Sequence, residues 1–373
     1  MKLFYSVSRL LVCLTATFLI VTINSYAQTS LSFSAIPVSD PDLVAPGRGA
    51  EQWHDRTDVN VPIQGTNTTP MDVYYRFVAT RISTNTKGVY NFSYLDNLFN
   101  DAINNRQKIS FGIMTCYPDG GTDAGLVAFD GGTACYPQWL HTEMQAESVK
   151  DWRTGSTWTP NYNSQRYLTW LLELNQAINA HIEATSYNGV RYKDIVNCVD
   201  IRGYGAWGEW HSGYTPNNQV SDYPSGTFPT VATLKAIVDA HVNGFPNFQL
   251  VNMIAAFDAN YLGNTRNPPE IAYYILTHKG NNKGPIGWRR DQWGALDSYL
   301  KAYLEDNTRS FNGVVFDTLI MERWKTAPVT GEPPAWIPDD YSDLERQIRL
   351  YHATSFGNGN YGTISPIQLY RTA

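Results

Sequence analysis

The sequence predicts an α/β protein built as a (β/α)8 barrel of the TIM type, and three observations support this prediction. Segments typical of strands and of helices alternate from residue 73 to residue 357. Seven strands are visible from Val73 onward, and eight β/α units close a barrel. No glycine-rich nucleotide turn follows the first of these strands, which weighs against a Rossmann sheet.

The elements follow one another in a regular order. Apolar runs predict strands at 73–79, 108–115, 195–201, 248–255, 285–289, 313–316 with its continuation, and 352–357. Apolar positions at helical spacing predict helices at 92–105, 164–184, 230–242, 268–277, 296–304 and 341–351. A weaker pattern places the eighth strand near 45–53. The Gly- and Trp-rich segment 117–162 is too long to be a simple connection. Because few residues follow the last strand, we expect the barrel to be truncated at its C-terminal end.

The first 27 residues are predicted to be a signal peptide. Lys2 and Arg9 give a positive start, an apolar run follows, and Ser25 and Ala27 are the small residues that a signal peptidase needs. The apolar run is short for a membrane span, so we expect a secreted or periplasmic protein without a span in its mature form. An uncleaved anchor is the alternative. Residues 28–70 form a lead-in that includes the possible first strand, and residues 71–373 form the barrel.

Composition narrows the class of partner. The 373 residues carry a net charge of −6 and no run of Lys or Arg, so binding to nucleic acid is not expected. Aromatic residues make up 13% of the chain, against 17% charged residues. Aromatic rings stack on the apolar faces of sugars, so this composition suits an oligo- or polysaccharide ligand; it equally suits a large aromatic core. The oligomeric state is not predicted.

Cysteine and histidine indicate neither a metal site nor a cofactor. Cys116 and Cys135 flank a Gly-rich loop and could form one disulfide in an oxidising compartment, whereas Cys198 is expected to be buried. The seven His are scattered, and neither C-x-x-C nor H-E-x-x-H occurs.

The most specific segment runs from Val199 to His211 (VDIRGYGAWGEWH). A strand ends there in small residues and then presents Glu209 among three aromatic side chains, Trp207, Trp210 and His211. Carboxyl ends of barrel strands form the active-site face. Aromatic walls would raise the pKa of this carboxyl group, as a general acid requires. The alternative is a structural hydrogen bond to Arg202 or His211.

Glycoside hydrolysis needs a second carboxylate. The segment from Asn312 to Trp324 (NGVVFDTLIMERW) offers Glu322 beyond its apolar run, and Asp317 nearer its middle. Asp291 is a rival at another strand end. The alternative for Glu322 is an ordinary loop residue.

Two segments resemble the clan A glycoside hydrolases. Residues 75–92 resemble the second-strand signature of that clan through Gly88, Tyr90 and Phe92, although Ser83-Thr84 replaces the usual Glu-Pro. Residues 200–211 resemble its fourth-strand segment, with Gly208 where the clan usually has Asn.

A more specific resemblance is to the bacterial domain of unknown function 4832. It rests on four motifs: Pro46–Gly49, Tyr204–His211, Arg289–Asp291 and Asn358–Asn360. The resemblance implies that Glu209 ends the fourth strand as the acid/base and that Glu322 follows the seventh strand as the nucleophile.

Together these observations predict a secreted glycoside hydrolase with a retaining mechanism. The residues expected to contact substrate are Arg76, Trp207, Trp210, His211, Trp288, Asp291, Trp293 and Asn358. The alternative function is a non-catalytic carbohydrate-binding protein on a degenerate barrel, and the departures from the clan A motifs favour it. A metal-dependent hydrolase is disfavoured because no His cluster occurs.

Overall fold

Eight parallel strands form the centre of the computed structural model. The structure describes residues 49–54, 72–117, 123–211, 224, 226–253, 269–290, 293, 310–332 and 342–357. In chain order the strands are β1 (Gly49–His54), β2 (Asp72–Val78), β3 (Ile109–Met114), β4 (Val196–Ile201), β5 (Leu250–Met253), β6 (Gly287–Arg290), β7 (Val329–Gly331) and β8 (Ser355–Gly357).

The strands pair in the order of a closed barrel. Each strand from β1 to β6 pairs in parallel with the next along the chain, and β1 also pairs in parallel with β8. Thr354, the residue before β8, donates a backbone hydrogen bond of 2.7 Å to the Val329 oxygen of β7 and brings the two ends of the sheet together. The predicted (β/α)8 fold is therefore confirmed, including the weakly indicated first strand. The expected C-terminal truncation concerns residues after 357, which lie outside the described part of the chain.

Helices connect the strands on the outside. They are α1 (Ser93–Asn104), α2 (Gln138–Gln145), α3 (Gln165–Ala184), α4 (Tyr192–Ile195), α5 (Val231–Gly244), α6 (Pro269–Tyr273), α7 (Phe316–Glu322) and α8 (Ser342–Tyr351). Ser164 caps α3 by accepting hydrogen bonds from the Arg166 and Tyr167 amides, and Thr230 caps α5 by accepting one from the Thr233 amide. No helix in the described ranges is long and apolar enough to cross a bilayer. The predicted helix at 296–304 and the predicted signal peptide lie outside those ranges.

Successive side chains of a strand point alternately into the barrel and into the layer between the strands and the helices. In β2 the odd-numbered residues Val73, Tyr75 and Phe77 join the apolar layer between strands and helices, because successive side chains of a strand point to opposite faces. Tyr74 and Arg76, on the other face, bind carboxylates from β4 and the loop that follows it. The inside of the barrel is therefore polar and the shell around it is apolar.

The predicted seventh strand is wrong. Residues 310–315 form a separate small hairpin, and the apolar run that follows is helix α7. Phe316 and Ile320 are both buried and lie four residues apart, which is the spacing of one helix face. The true seventh strand is the three-residue β7.

Segment 117–162 has its own structure, as its length indicated. It holds α2 and a four-stranded sheet formed by Val127–Phe129, Gly132–Ala134, Trp152–Thr154 and Thr157–Thr159. Buried His141 holds it together: its Nδ1 lies 2.7 Å from Oδ2 of Asp151, which also accepts a hydrogen bond from the Tyr136 hydroxyl. Cys116, Cys135 and Cys198 are buried free thiols, so the structure does not contain the disulfide. The segment follows β3 and therefore lies at the carboxyl end of the barrel.

Candidate functional site

The loop after β4 turns sharply and places Glu209 at the carboxyl end of the barrel. Gly205 and Gly208 have φ angles of 87° and 71°. A Cβ on Gly208 would lie 2.4 Å from the backbone oxygen of Arg202, so both conformation and space require glycine there. Between them Trp207 has a φ of 50°, a left-handed conformation that costs a bulky residue conformational energy. The motif therefore makes a tight turn that returns Glu209 over the strand ends.

Three cationic or ionisable side chains surround the Glu209 carboxylate. Arg76 Nη1 binds its Oε1, His211 Nε2 lies 3.0 Å from its Oε2, and Arg202 Nη1 lies 3.6 Å from its Oε1. Burial is the largest single influence and raises the pKa of Glu209. The charges of Arg76, His211 and Arg202 together outweigh burial and bring the pKa well below its usual range. The expected raised pKa is thus wrong, and Glu209 is ionised in this arrangement.

Below Glu209, Asp200 anchors a buried ionic network inside the barrel. Its Oδ2 accepts hydrogen bonds from the Tyr74 hydroxyl at 2.7 Å and from Arg202 Nε at 2.6 Å. Arg289 Nε lies 3.8 Å from the same oxygen. Arg202 also donates to the backbone oxygen of Trp207 at 2.9 Å. The network therefore ties the β4 strand to the strained turn that carries Glu209.

A second carboxylate, Glu332, follows β7 directly and is not among the residues predicted from the sequence. Its Oε2 lies 3.0 Å from Arg289 Nη2, and the side chain is buried. Backbone hydrogen bonds from Glu332 N to Arg290 O and from Trp293 N to Glu332 O hold this turn. The strand before Glu332 is the tripeptide VTG, which is too short for a sequence pattern to identify. The longer apolar run upstream obscured it.

Glu322 does not occupy a strand end. It lies on α7, its side chain is 56% exposed, and it forms an ion pair of 2.8 Å with Lys325. The prediction that Glu322 follows the seventh strand is therefore wrong. Asp291 and Asn358 lie outside the described residues, as does the side chain of Asp317.

Three of the four tryptophans expected to contact substrate are core residues. Trp210, Trp288 and Trp293 have no exposed surface. Trp210 donates to the backbone oxygen of Ile201 at 2.7 Å, and Trp288 stacks on Trp293 with ring centroids 5.4 Å apart. Burial leaves none of the three with a ring face open to a sugar, which corrects the expectation.

Trp207, the fourth of these tryptophans, lies in the loop after β4 at the mouth of the barrel. It is partly exposed and packs with Tyr117 and Leu126 over a small buried cluster of Val78, Met114 and Cys135. These three partly exposed side chains, the Trp207 patch, come from the loops after β3 and β4. An apolar surface thus lies beside the Glu209 loop.

Within the described residues, no group of three His, Cys, Asp or Glu side chains is arranged as metal ligands would be. No protein-family model and no curated protein matches the sequence, so the resemblance to domain of unknown function 4832 stays a prediction.

Solved structures provide distant matches. The chain is 14% identical to endo-glycoceramidase II from Rhodococcus sp., described as a lactosyl-enzyme intermediate, with 82% of this chain and 69% of that chain covered and a TM-score of 0.44. A GH5-4 broad-specificity endoglucanase from an uncultured bacterium is 10% identical, with coverages of 87% and 93% and a TM-score of 0.42. Aspergillus fumigatus Ega3, in complex with galactosamine, is 9% identical, with coverages of 85% and 93% and a TM-score of 0.33. Similarity this low does not transfer an activity to the chain.

Proposed function

We propose that the protein hydrolyses glycosidic bonds at the carboxyl end of its barrel, with Glu209 and Glu332 as the two carboxylates. One observation carries the proposal: two largely buried glutamates follow β4 and β7 and belong to one ionic network. From Glu209 the network passes through Arg202, Asp200 and Arg289 to Glu332. Paired carboxyl groups at this face of a barrel are what acid/base and nucleophilic work on a glycoside requires.

The surroundings of each carboxylate suggest its role. Glu332 contacts the Arg289 guanidinium, which stabilises negative charge, so Glu332 is the proposed nucleophile that attacks the anomeric carbon. Glu209 is the proposed acid/base that protonates the leaving oxygen. Because Arg76 and His211 keep Glu209 ionised, the resting site must change before Glu209 can donate a proton. Separation of Arg76 from Glu209 is the change that the contacts point to, since it removes the largest influence that lowers the pKa of Glu209.

A non-catalytic carbohydrate-binding barrel is the second candidate, and a specific observation favours it. Both oxygens of Glu209 are engaged, one by Arg76 and the other by His211. A carboxylate with both oxygens engaged can have a purely structural role.

Export through the predicted signal peptide also belongs to the proposal. N-terminal sequencing of secreted protein should give Gln28 as the first residue, and an intact Met1 would exclude cleavage.

Two glutamine substitutions test the enzyme against a panel of aryl glycosides and polysaccharides. Glu209→Gln should lower turnover of substrates with poor leaving groups by roughly 10²–10⁴-fold and affect activated aryl leaving groups less, because these need little protonation. Glu332→Gln should abolish turnover of both kinds. Glu322→Gln is the matched variant, since Glu322 is exposed and paired with Lys325, and it should be as active as the wild type.

A slow fluorinated sugar should trap a covalent glycosyl-enzyme on Glu332, which mass spectrometry of the labelled peptide identifies. Label on Glu322 would restore the position first predicted for the nucleophile. Saccharide binding without turnover or label would establish the non-catalytic barrel.

A further inference from the structure

We propose that the saccharide bound here is acidic, and that its carboxylate or sulfate group binds Arg76 next to Glu209. This inference rests on the proposed function, because it names the class of substrate that would free Glu209 to act as an acid. It follows from three features of the site: the partner of Arg76, the accessibility of Arg76, and the apolar surface beside it.

The first feature is the ion pair between Arg76 and Glu209. Protonation of Glu209 removes the negative charge that this carboxylate presents to Arg76. Arg202 keeps its bond to Asp200 at 2.6 Å when this happens, whereas the Arg76 guanidinium loses the charged carboxylate that it contacts in the resting site. Depriving a largely buried guanidinium of an anionic partner is costly. An anion on the ligand offsets this cost, whereas a neutral ligand does not.

The second feature is the accessibility of Arg76 to a group that competes with Glu209 for its guanidinium. A carboxylate or sulfate adds charge–charge attraction to its hydrogen bonds with a guanidinium and can accept two of them in parallel, whereas a hydroxyl group carries no opposite charge. A neutral sugar hydroxyl therefore competes poorly with the Glu209 carboxylate for Arg76, and an anionic group competes on equal terms. Of the two arginines that contact Glu209, Arg202 is fully buried and Arg76 is 14% exposed. Of these two arginines, Arg76 is therefore the one with surface that a ligand can contact.

The third feature is the Trp207 patch, which lies on the same loop as Glu209. Trp207 is partly exposed and its ring centroid lies 6.4 Å from that of His211, the residue that contacts the second oxygen of Glu209. A pyranose presents an apolar face as well as its substituents, and aromatic rings pack well against such faces. A ring that packs on Trp207 while its anionic group reaches Arg76 fits both surfaces.

Binding to matched pairs of probes tests the inference. The pairs are aryl glucuronide with aryl glucoside, aryl galacturonide with aryl galactoside, and galactose 6-sulfate with galactose. Calorimetry on the full-length Glu332→Gln protein measures binding without turnover. We expect the anionic member of at least one pair to bind roughly 10- to 100-fold more tightly than its neutral partner, with the preference falling as salt is added. The carboxylate and sulfate pairs distinguish the two sources of charge.

Three further variants locate the effect, each made in the Glu332→Gln background. Arg76→Gln should abolish the preference, and Arg76→Lys should restore part of it because the positive charge returns. Arg191→Gln is the matched control and should keep the full preference. Arg191 forms an exposed ion pair with Asp194, just before β4 and so at the opposite end of the barrel from Glu209. Circular dichroism of each variant verifies that it is folded.

The outcomes separate this inference from the proposed function. Equal or tighter binding of the neutral member in every pair, absence of binding to every anionic probe, or a preference that survives Arg76→Gln would each overturn the inference. Turnover of neutral glycosides by the wild type, dependent on Glu209 and Glu332 and without an anionic preference, would overturn the inference and leave the proposed function intact. An Arg76-dependent preference with no turnover of any probe would support the anionic ligand and overturn the proposed hydrolase.

Discussion

Asp200→Asn should be among the most destabilising single substitutions in the barrel interior. Asp200 has no exposed surface, and its Oδ2 accepts hydrogen bonds from the Tyr74 hydroxyl and Arg202 Nε at 2.7 and 2.6 Å. Arg289 Nε lies 3.8 Å away. Asparagine preserves the size of the side chain and removes its charge. The substitution therefore leaves two buried guanidinium groups facing a neutral amide.

The size of the effect follows from these contacts. Removing one partner of a buried ion pair costs about 3–5 kcal/mol, because the other charge stays buried without compensation. Arg289 keeps its contact of 3.0 Å with Glu332, whereas the contact that Arg202 keeps with Glu209 is longer, at 3.6 Å, so most of the cost comes from Arg202. With a urea m-value of roughly 3 kcal/mol/M, the midpoint of unfolding should fall by about 1–1.7 M.

Urea unfolding followed by tryptophan fluorescence measures this shift. Asp194→Asn is the matched control, because Asp194 also pairs with an arginine, Arg191, but both side chains are largely exposed. Solvent screens that pair, so its loss should leave the midpoint unchanged within error. Equal midpoints for Asp200→Asn and Asp194→Asn would show that the interior network does not stabilise the barrel, and the reasoning would fail.

Three further predictions concern packing, titration and capping. Gly112→Ala would place a Cβ 2.7 Å from Arg202 Cδ, so the free energy of unfolding should fall by about 1–3 kcal/mol; a wild-type urea midpoint would contradict this. Burial lowers the pKa of His241 to about 4. On acidification the His241 imidazole therefore takes up its proton near pH 6.5 in the unfolded chain, but only near pH 4 in the folded protein. Stability should therefore fall between pH 6.5 and 4, by at most about 1.4 kcal/mol per pH unit, and His241→Leu should remove this part of the pH dependence; parallel curves for the two proteins would disprove it. Ser164→Ala removes the cap of α3 and should cost about 1 kcal/mol in thermal or urea unfolding, whereas an unchanged stability would mean that the cap is dispensable.

Much of the barrel was predictable because local patterns carry the information. The strands at 72–78, 109–114 and 196–201 and the helices at 93–104 and 165–184 lie within a residue or two of their predicted bounds. In each of these segments the apolar residues follow a single period, that of a strand or that of a helix, along the whole segment. The prediction for segment 313–322 failed because its apolar run fits both the strand period and the helix period. In the fold the segment is a helix, and its Ile320 backbone oxygen accepts a hydrogen bond from the Trp288 indole.

Of the two glutamates in the candidate site, only Glu209 could be predicted from the sequence. Glu209 stands in a distinctive motif whose glycines require a tight turn, so its place at a strand end could be inferred. Glu332 follows a strand of three residues, too short for any pattern to identify. Aromatic neighbours of Glu209 suggested a raised pKa, but Trp210 points into the core and the charges that decide the pKa include Arg76, 133 residues away in the chain.

The sequence by itself determined the class of fold and the turn that carries Glu209, because periodicity and glycine conformations are properties of neighbouring residues. The tertiary structure alone decided which glutamate joins Glu209 at the carboxyl end, which of the four predicted tryptophans stays partly exposed, and whether Glu209 carries charge. These outcomes depend on which strands pair and on the distances between side chains that are remote in sequence. Electrostatic energies change steeply with distance and burial, so that no local pattern could reveal them.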